Sequence, residues 1–361
     1  MKKIVSIFLL CFLLILTACT PGRIPHEVRD EPTSEEFRVL AESLRESTVA
    51  VLGQYMVFNT GIGSGLIFMK ETIDDEFAYY YVVTNQHVVE GNSRVTIRTT
   101  KRDELGDIYA EDESLSKDYE DIAIVRFKSD LEYPIVKIIP FEEKNTHVQV
   151  SVGQTVFGIG TPVSTNNYNL VTNLGIISAL DTYFISHTAN INPGNSGGPL
   201  FSYDGTFIGI STQRIEVFNG QTVYLMGESI SVNQVSFMIK KLLDRVTPKL
   251  GVYLLEMNDF LTNDYLLYFK EQAANFKPEE LVDPNEVGVV IIDVNVTRPS
   301  YGILKQFDVI LSVNGTRVTT SEHLISAASP IKSGNQYTFE VRRKNIDTNQ
   351  FETLTIEVEI P

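Results

Sequence analysis

The sequence predicts a mostly β protein in two unlike parts: antiparallel barrels or sandwiches first, then a separate α+β domain. Three observations predict it. Short β-rich runs recur between turn signals at Val49–Leu52, Gly65–Phe68, Tyr79–Thr84, Arg94–Arg98, Ile122–Phe127, Thr155–Ile159, Gly175–Ala179, Thr206–Ser211 and Val223–Ser229. No long alternation of strands with helices appears, which excludes a doubly wound α/β fold. A helical pattern over Val232–Arg245 places Val235, Ile239, Leu242 and Leu243 on one face, and Pro248 after it marks a boundary. Beyond that boundary Gly288–Val294, Val309–Val313, Tyr337–Arg342 and Thr353–Val358 read as strands. Ser321–Ala328 reads as a helix capped by Ser321.

Ahead of the first strands, Ser34–Glu46 has helical spacing, with Phe37, Leu40, Ala41 and Leu44 on one face and Ser34 placed to cap it. The chain of 361 residues is 43% hydrophobic and 21% charged, enough to bury cores. Its net charge of −16 repels phosphate backbones and argues against a nucleic-acid partner. The only cysteines, Cys11 and Cys19, fall in the first twenty residues. The folded part therefore has no disulfide and no cysteine metal site, and no cofactor or metal is expected.

Lys2 and Lys3 precede an apolar run from Ile4 to Leu16. As a helix that run spans about 20 Å, too short for a hydrocarbon core of roughly 30 Å. It reads as a secretory signal over residues 1–18. Leu16-Thr17-Ala18-Cys19 resembles the bacterial lipobox, which implies lipidation of Cys19 and a membrane anchor. Residues 19–33 then form a tether, rich in proline and charge.

Chemistry concentrates in Asn192-Pro193-Gly194-Asn195-Ser196-Gly197-Gly198-Pro199-Leu200. Small residues on both sides expose Ser196 and let nearby backbone N–H groups converge, so Gly194, Asn195 and Ser196 are the expected oxyanion hole. Serine needs a base to take its proton and an acid to orient that base. Of the histidines, His26 lies in the tether, His147 in a polar loop and His323 on a C-terminal helix surface. His187 competes by proximity to Ser196. His87 leads, because Val82-Val83-Thr84-Asn85-Gln86-His87 is a buried-looking strand running into a turn, like the histidine element of chymotrypsin-like proteases. Asp121 opens the apolar strand Ile122-Ala123-Ile124-Val125 and is the expected acid. Asp103, Asp107, Asp112 and Asp118 read as a solvated charged loop. The order His87, Asp121, Ser196 is the chymotrypsin order.

At this point the sequence resembles the HtrA/Deg family of bacterial serine proteases. The matching pieces are Gly63-Ser64-Gly65-Leu66-Ile67, Thr84 through Val89, Asp121 through Val125, Gly175 through Ala179, Ile191 through Leu200 and Ile208 through Thr212. The resemblance implies a chymotrypsin-like double β-barrel over residues 34–245 and a PDZ domain over 249–361. It implies a carboxylate-binding loop at Leu250, Gly251 and Val252, which would take C-terminal peptides by strand addition, and a homotrimer, to which Phe37 and Leu40 would contribute. In this sequence His187-Thr188-Ala189-Asn190 stands where the family usually has Thr-Asp-Ala, and Phe307 replaces a usual glycine. The stretch Leu254–Glu286 is long, with a helix expected around Asn263–Ala274.

By analogy with chymotrypsin-like proteases, the substrate pocket falls to Asn190, Ile191, Ile210 and Ser211. With no carboxylate at Asn190, basic side chains are disfavoured and aliphatic ones expected. The leading reading is a lipid-anchored extracytoplasmic serine endopeptidase acting on misfolded or signal proteins. The alternative is a non-proteolytic chaperone or peptide-binding scaffold on the same fold.

Overall fold

The computed structural model describes residues 32–111, 117–139, 148–162, 170–214, 217–218, 221–222, 226–244, 249–262 and 276–361. Cys19, the leader, the tether up to residue 31, His26, His147 and the helix expected around Asn263–Ala274 lie outside them.

Helix α1 (Ser34–Arg45) opens the described body. Its cap is Thr33, one residue before the expected Ser34. Thr33 Oγ1 accepts the Glu36 amide at 3.3 Å and Glu36 Oε2 accepts the Thr33 amide at 2.8 Å, a reciprocal box that Ser34 cannot form. Phe37 stacks on Tyr203 at 4.5 Å and meets Phe157 edge-on at 5.0 Å. Its ring is thus committed to its own chain.

Two closed barrels follow. The first has strand order β1-β2-β3-β6-β5-β4, with β1 (Thr48–Tyr55), β2 (Phe58–Thr72), β3 (Ala78–Thr84), β4 (Arg94–Arg98), β5 (Asp103–Ala110) and β6 (Ala123–Ser129). The second has order β10-β11-β14-β9-β8-β7, with β7 (Thr155–Gly160), β8 (Val171–Leu180), β9 (Phe184–His187), β10 (Pro199–Ser202), β11 (Phe207–Arg214) and β14 (Gly227–Ser231). A short ribbon of β12 (Val217–Phe218) and β13 (Gln221–Thr222) lies between β11 and β14 in the chain.

Strand alternation explains how the barrels join. Val82 faces the first barrel's interior with Val49, Ile67 and Phe127. Its neighbour Val83 faces the other way, into a cluster with Phe157, Ile159 and Ile210 of the second barrel. β3 is therefore buried on both faces, and it reads as a continuous apolar run. Short helix α2 (Gln86–Val89) follows β3. Helix α3 (Val232–Leu243) seals the inter-barrel cluster with Val235, Met238, Ile239 and Leu242.

The C-terminal domain is an antiparallel sheet in the order β15-β16-β17-β19-β20. Its strands are β15 (Val252–Glu256), β16 (Val289–Val294), β17 (Val309–Val313), β19 (Gln336–Lys344) and β20 (Phe351–Glu359), with β18 (Thr316–Arg317) paired to β17. Helices α4 (Met257–Thr262) and α5 (Pro278–Leu281) precede β16, and α6 (Ser321–Ala328) covers the sheet. Thr320, not Ser321, caps α6, accepting the His323 amide at 3.2 Å.

This domain is locked to the first barrel. Met56 and Phe58, on the β1–β2 hairpin, enter an apolar cluster with Phe260, Val290, Ile292 and Val309, joined by Phe276 and Phe307. Met56 and Phe307 both have left-handed backbones, φ 57° and 70°. Such a conformation costs a bulky residue about 1–2 kcal/mol, and both side chains are spent on this one cluster. Beside it runs a polar latch. The expected solvated loop around Asp107 is strand β5, and Asp107 is fully buried. Strand pairing with Arg126 turns its carboxylate toward the C-terminal domain, where it accepts the amides of Val296 at 2.5 Å and Thr297 at 2.8 Å. Arg126 lies over the rings of Tyr79 and Tyr109, each 4.2 Å away, and donates to Thr297 O at 2.9 Å. Ser93 and Arg94 hold Asp293 at 2.7 and 3.0 Å. Burial pushes the Asp107 carboxyl up to about 6, although Thr297, the Val296 amide and the Arg126 charge pull it back.

Asp107→Ala strips the acceptor from two amides buried at the domain contact. Denaturant unfolding is expected to show a loss of about 3 kcal/mol or more; a loss under about 1 kcal/mol would mean the latch carries no docking energy.

Candidate active site

The register of β3 against β6 pairs Thr84 with Ala123. That pairing brings α2, just after β3, against Asp121, two residues before β6. His87 Nδ1 lies 2.6 Å from Asp121 Oδ2, and the His87 amide donates to Asp121 Oδ1 at 2.9 Å. One carboxylate thus fixes both the ring and the backbone of the histidine. Asn85 Nδ2 donates to Asp121 O at 2.7 Å and steadies the acid from behind. The bond to Asp121 holds the His87 pKa above its ordinary 6.5, against the pull of burial.

Ser196 comes from the second barrel, in the turn before β10. Its Oγ donates to Thr212 O at 3.2 Å, and Thr212 Oγ1 donates to Asp121 Oδ2 at 3.1 Å. Thr212 therefore bridges the serine and the acid. Among the described residues no hydrogen bond joins Ser196 to His87. The turn is clamped from the first barrel by Ser64: its Oγ donates to Gly194 O at 2.7 Å and its amide to Ser196 O at 2.7 Å. Gly197 must be glycine, since its φ is +84° and a Cβ there would lie 2.1 Å from Ser64 O.

The amides of this turn divide by direction. Asn195 N–H goes to Asn192 O at 2.9 Å and Gly197 N–H to Ser211 O at 2.8 Å. Those of Gly194 and Ser196 have no acceptor among the described residues. Of the three residues expected to form the hole, Asn195 thus has its amide engaged, while those of Gly194 and Ser196 are left without an acceptor among the described residues.

Residues 63–210 match the model of the trypsin-like peptidase domain, and 248–359 that of the PDZ domain. "Serine protease Do-like HtrA" of Bacillus subtilis is 29% identical over 282 residues, 73% of this chain and 57% of that protein. "Probable periplasmic serine endoprotease DegP-like" of Pseudomonas putida is 29% identical over 304 residues, 79% of this chain and 55% of that one. The solved serine endoprotease from Yersinia pestis aligns with a TM-score of 0.46 at 20% identity, over 91% of this chain and 98% of that one. The chain thus joins a trypsin-like peptidase domain to one PDZ domain, and its relatives are named HtrA and DegP-like serine proteases. It spans a little over half the length of the Bacillus and Pseudomonas relatives.

A narrow cavity opens beside the serine turn, walled by Gly158, His187, Asn190, Ile191, Asn195 and Ser211. Asn190, Ile191 and Ser211 stand where the sequence reading put them. Ile210 does not: it is fully buried in the inter-barrel core. Adjacent residues of β11 face opposite sides, so Ser211 and Ile210 cannot share a wall. His187 is no rival base. It is 1% exposed, with Nε2 2.9 Å from Ser229 Oγ. Exposed His323 sits on α6, its Nδ1 2.8 Å from Thr319 Oγ1.

The PDZ domain's Leu250, Gly251 and Val252 border a groove of about 680 Å³ between β15 and α6. Its other wall is Tyr109, Ala110 and Glu111 of the first barrel, with Arg298 beside them. Thr212 and Ser64 were missed as site residues. Both lie in runs that carry the family resemblance, but only the fold shows their contacts.

Ser64→Ala removes the donor to Gly194 O and strands the buried Thr161 amide, which bonds Ser64 Oγ at 2.8 Å. It is expected to cost about 1–3 kcal/mol of stability and to lower turnover of a peptide substrate about tenfold or more. Unchanged turnover would show that the clamp does not place the serine turn.

Proposed function

We propose that this protein is an extracytoplasmic serine endopeptidase that cleaves misfolded or signal proteins after small, uncharged side chains. The observation that carries the reading is the grip of Asp121 on His87 through two bonds, with Thr212 linking that acid to Ser196. A scaffold has no use for such a set.

In the proposed reaction the Ser196 hydroxyl leaves Thr212 O for His87 Nε2. His87 takes its proton as Ser196 Oγ attacks the scissile carbonyl. Asp121 keeps the Nδ1–H tautomer and stabilises the imidazolium that forms. The amides of Gly194 and Ser196 receive the oxyanion. His87 then protonates the leaving amine, and a water deprotonated by the same ring releases the acyl group. The pocket has no carboxylate to meet Lys or Arg, and its narrowness excludes large rings.

The proposal places Cys19 in the membrane through its acyl chains, with residues 19–33 as the tether. Among the described residues no helix is long and apolar enough to cross a membrane. The groove beside Leu250–Val252 is proposed to take extended C-terminal peptides and to regulate or recruit. The assembly is proposed as a homotrimer, without the Phe37 ring, which already packs on Tyr203. Light scattering is expected to give three copies at micromolar concentration; a monomer would refute this part.

A fluorophosphonate probe, tried with and without a C-terminal peptide, is expected to label the wild type and not Ser196→Ala. No labelling under either condition, or equal labelling of the variant, would overturn the enzyme reading. Asp121→Asn is expected to lower kcat by about 10⁴-fold. The base must be neutral to act, and Asp121 raises the pH at which it becomes so. kcat/KM is therefore expected to rise with pH through an apparent pKa above 6.5.

A further inference from the structure

The cavity beside Ser196 holds two polar atoms that the fold leaves short of a well-formed hydrogen bond. Asn195 Oδ1 is buried with no hydrogen-bond partner, buried His187 Nδ1 has none of good geometry although the ring feels the backbone of Ala189, and both residues wall the cavity. They are 1% and 5% exposed. Stranding two such groups beside a reactive serine is costly unless an occupant completes them.

His187 is built into place. Strand pairing sets it opposite Gly227, whose missing side chain makes room for the ring. A Cβ on Gly227 would lie 2.9 Å from His187 Cε1 and 2.8 Å from Ile191 Cδ1. Ser229, two residues on, holds the far nitrogen at 2.9 Å.

The cavity is small, about 10 Å³ of space open to the centre of a water-sized sphere, so only a short side chain fits. Any occupant of so small a space touches all its walls. We infer that His187 is a specificity-determining residue, and that together with Asn195 it selects a hydroxyl-bearing side chain, threonine or serine, in the residue preceding the scissile bond. The inference rests on the endopeptidase reading and deepens it.

The chemistry of the two atoms points to a hydroxyl. A hydroxyl gives its one proton to the carboxamide oxygen of Asn195 and accepts from His187 Nδ1–H, so it completes both atoms in the tautomer whose Nε2 accepts from Ser229 Oγ. A methyl group of the same size satisfies neither. A carboxylate fits worse, since it repels Asn195 Oδ1 and needs a charged ring, and burial pushes the His187 imidazole down to about 4. The selection thus replaces the aliphatic preference expected from Ile191 and Ile210, one of which lies elsewhere.

Threonine and valine are nearly isosteric, so a matched pair of peptide substrates differing only there isolates the hydroxyl. The threonine substrate is expected to have the higher kcat/KM by about tenfold or more in the wild type. In His187→Leu the preference is expected to fall to about one or to reverse. Equal rates in the wild type, or a profile led by valine, aspartate or glutamate, would overturn the inference and leave the endopeptidase reading standing. No turnover of either substrate, with no probe labelling of Ser196, would remove both. If His187→Leu does not fold, the wild-type ratio alone decides.

Discussion

Ser64 stands where two barrels must agree about one serine. The first barrel supplies His87 and Asp121, and the second supplies Ser196, so no single sheet can set their spacing. Ser64, on β2, reaches across and holds the serine turn at both ends, through Gly194 O and Ser196 O. Thr84 in turn donates to Ser64 O at 2.7 Å, and Thr84 is the last residue of the strand that delivers His87. The clamp and the base thus share a root. Behind them the inter-barrel apolar cluster fixes the barrels' relative position, and without it the hydrogen bonds would have no fixed frame to act in.

Much of this was legible from pattern. β3 reads as one apolar run because Val82 and Val83 are buried on opposite faces, in different clusters. The four long C-terminal strands and the helices α1, α3 and α6 carry clear periodicity. What pattern hid has common causes. β5 looked like a charged loop because the residues it buries include Asp107 and Glu104, and a strand whose polar groups are satisfied by another domain has no hydrophobic signature. β9 is only four residues long, too short for alternation to register. The caps fell one residue early because a serine and a threonine stand side by side, and only backbone geometry chooses between them.

The site divides the same way. Ser196, His87 and Asp121 could be singled out from their runs, and the fold brings His87 onto Asp121 with Thr212 between that acid and Ser196. Ile210 was misplaced because a one-residue error on a strand exchanges core for surface. Asn195 was counted as a donor because the direction of its amide depends on the left-handed turn around it, with Gly194 at φ 96°. His187 drew notice as a possible base, when what its position offers is a buried, neutral ring. Proximity in sequence signalled that it mattered and misled about how.

The groove of the C-terminal domain has one wall that the domain does not own. Tyr109 and Ala110 belong to β5, with Glu111 just after it, and β5 also carries Asp107, the residue that latches the two domains. PDZ domains are commonly pictured as exchangeable readers strung on a chain. Here the reader is completed by the machine it serves. A domain excised or transplanted from this protein would carry away its loop and its helix and leave part of its binding surface behind. On the proposed reading, ligand preference is a property of the pair, and a change in either wall of the groove is a change in both domains.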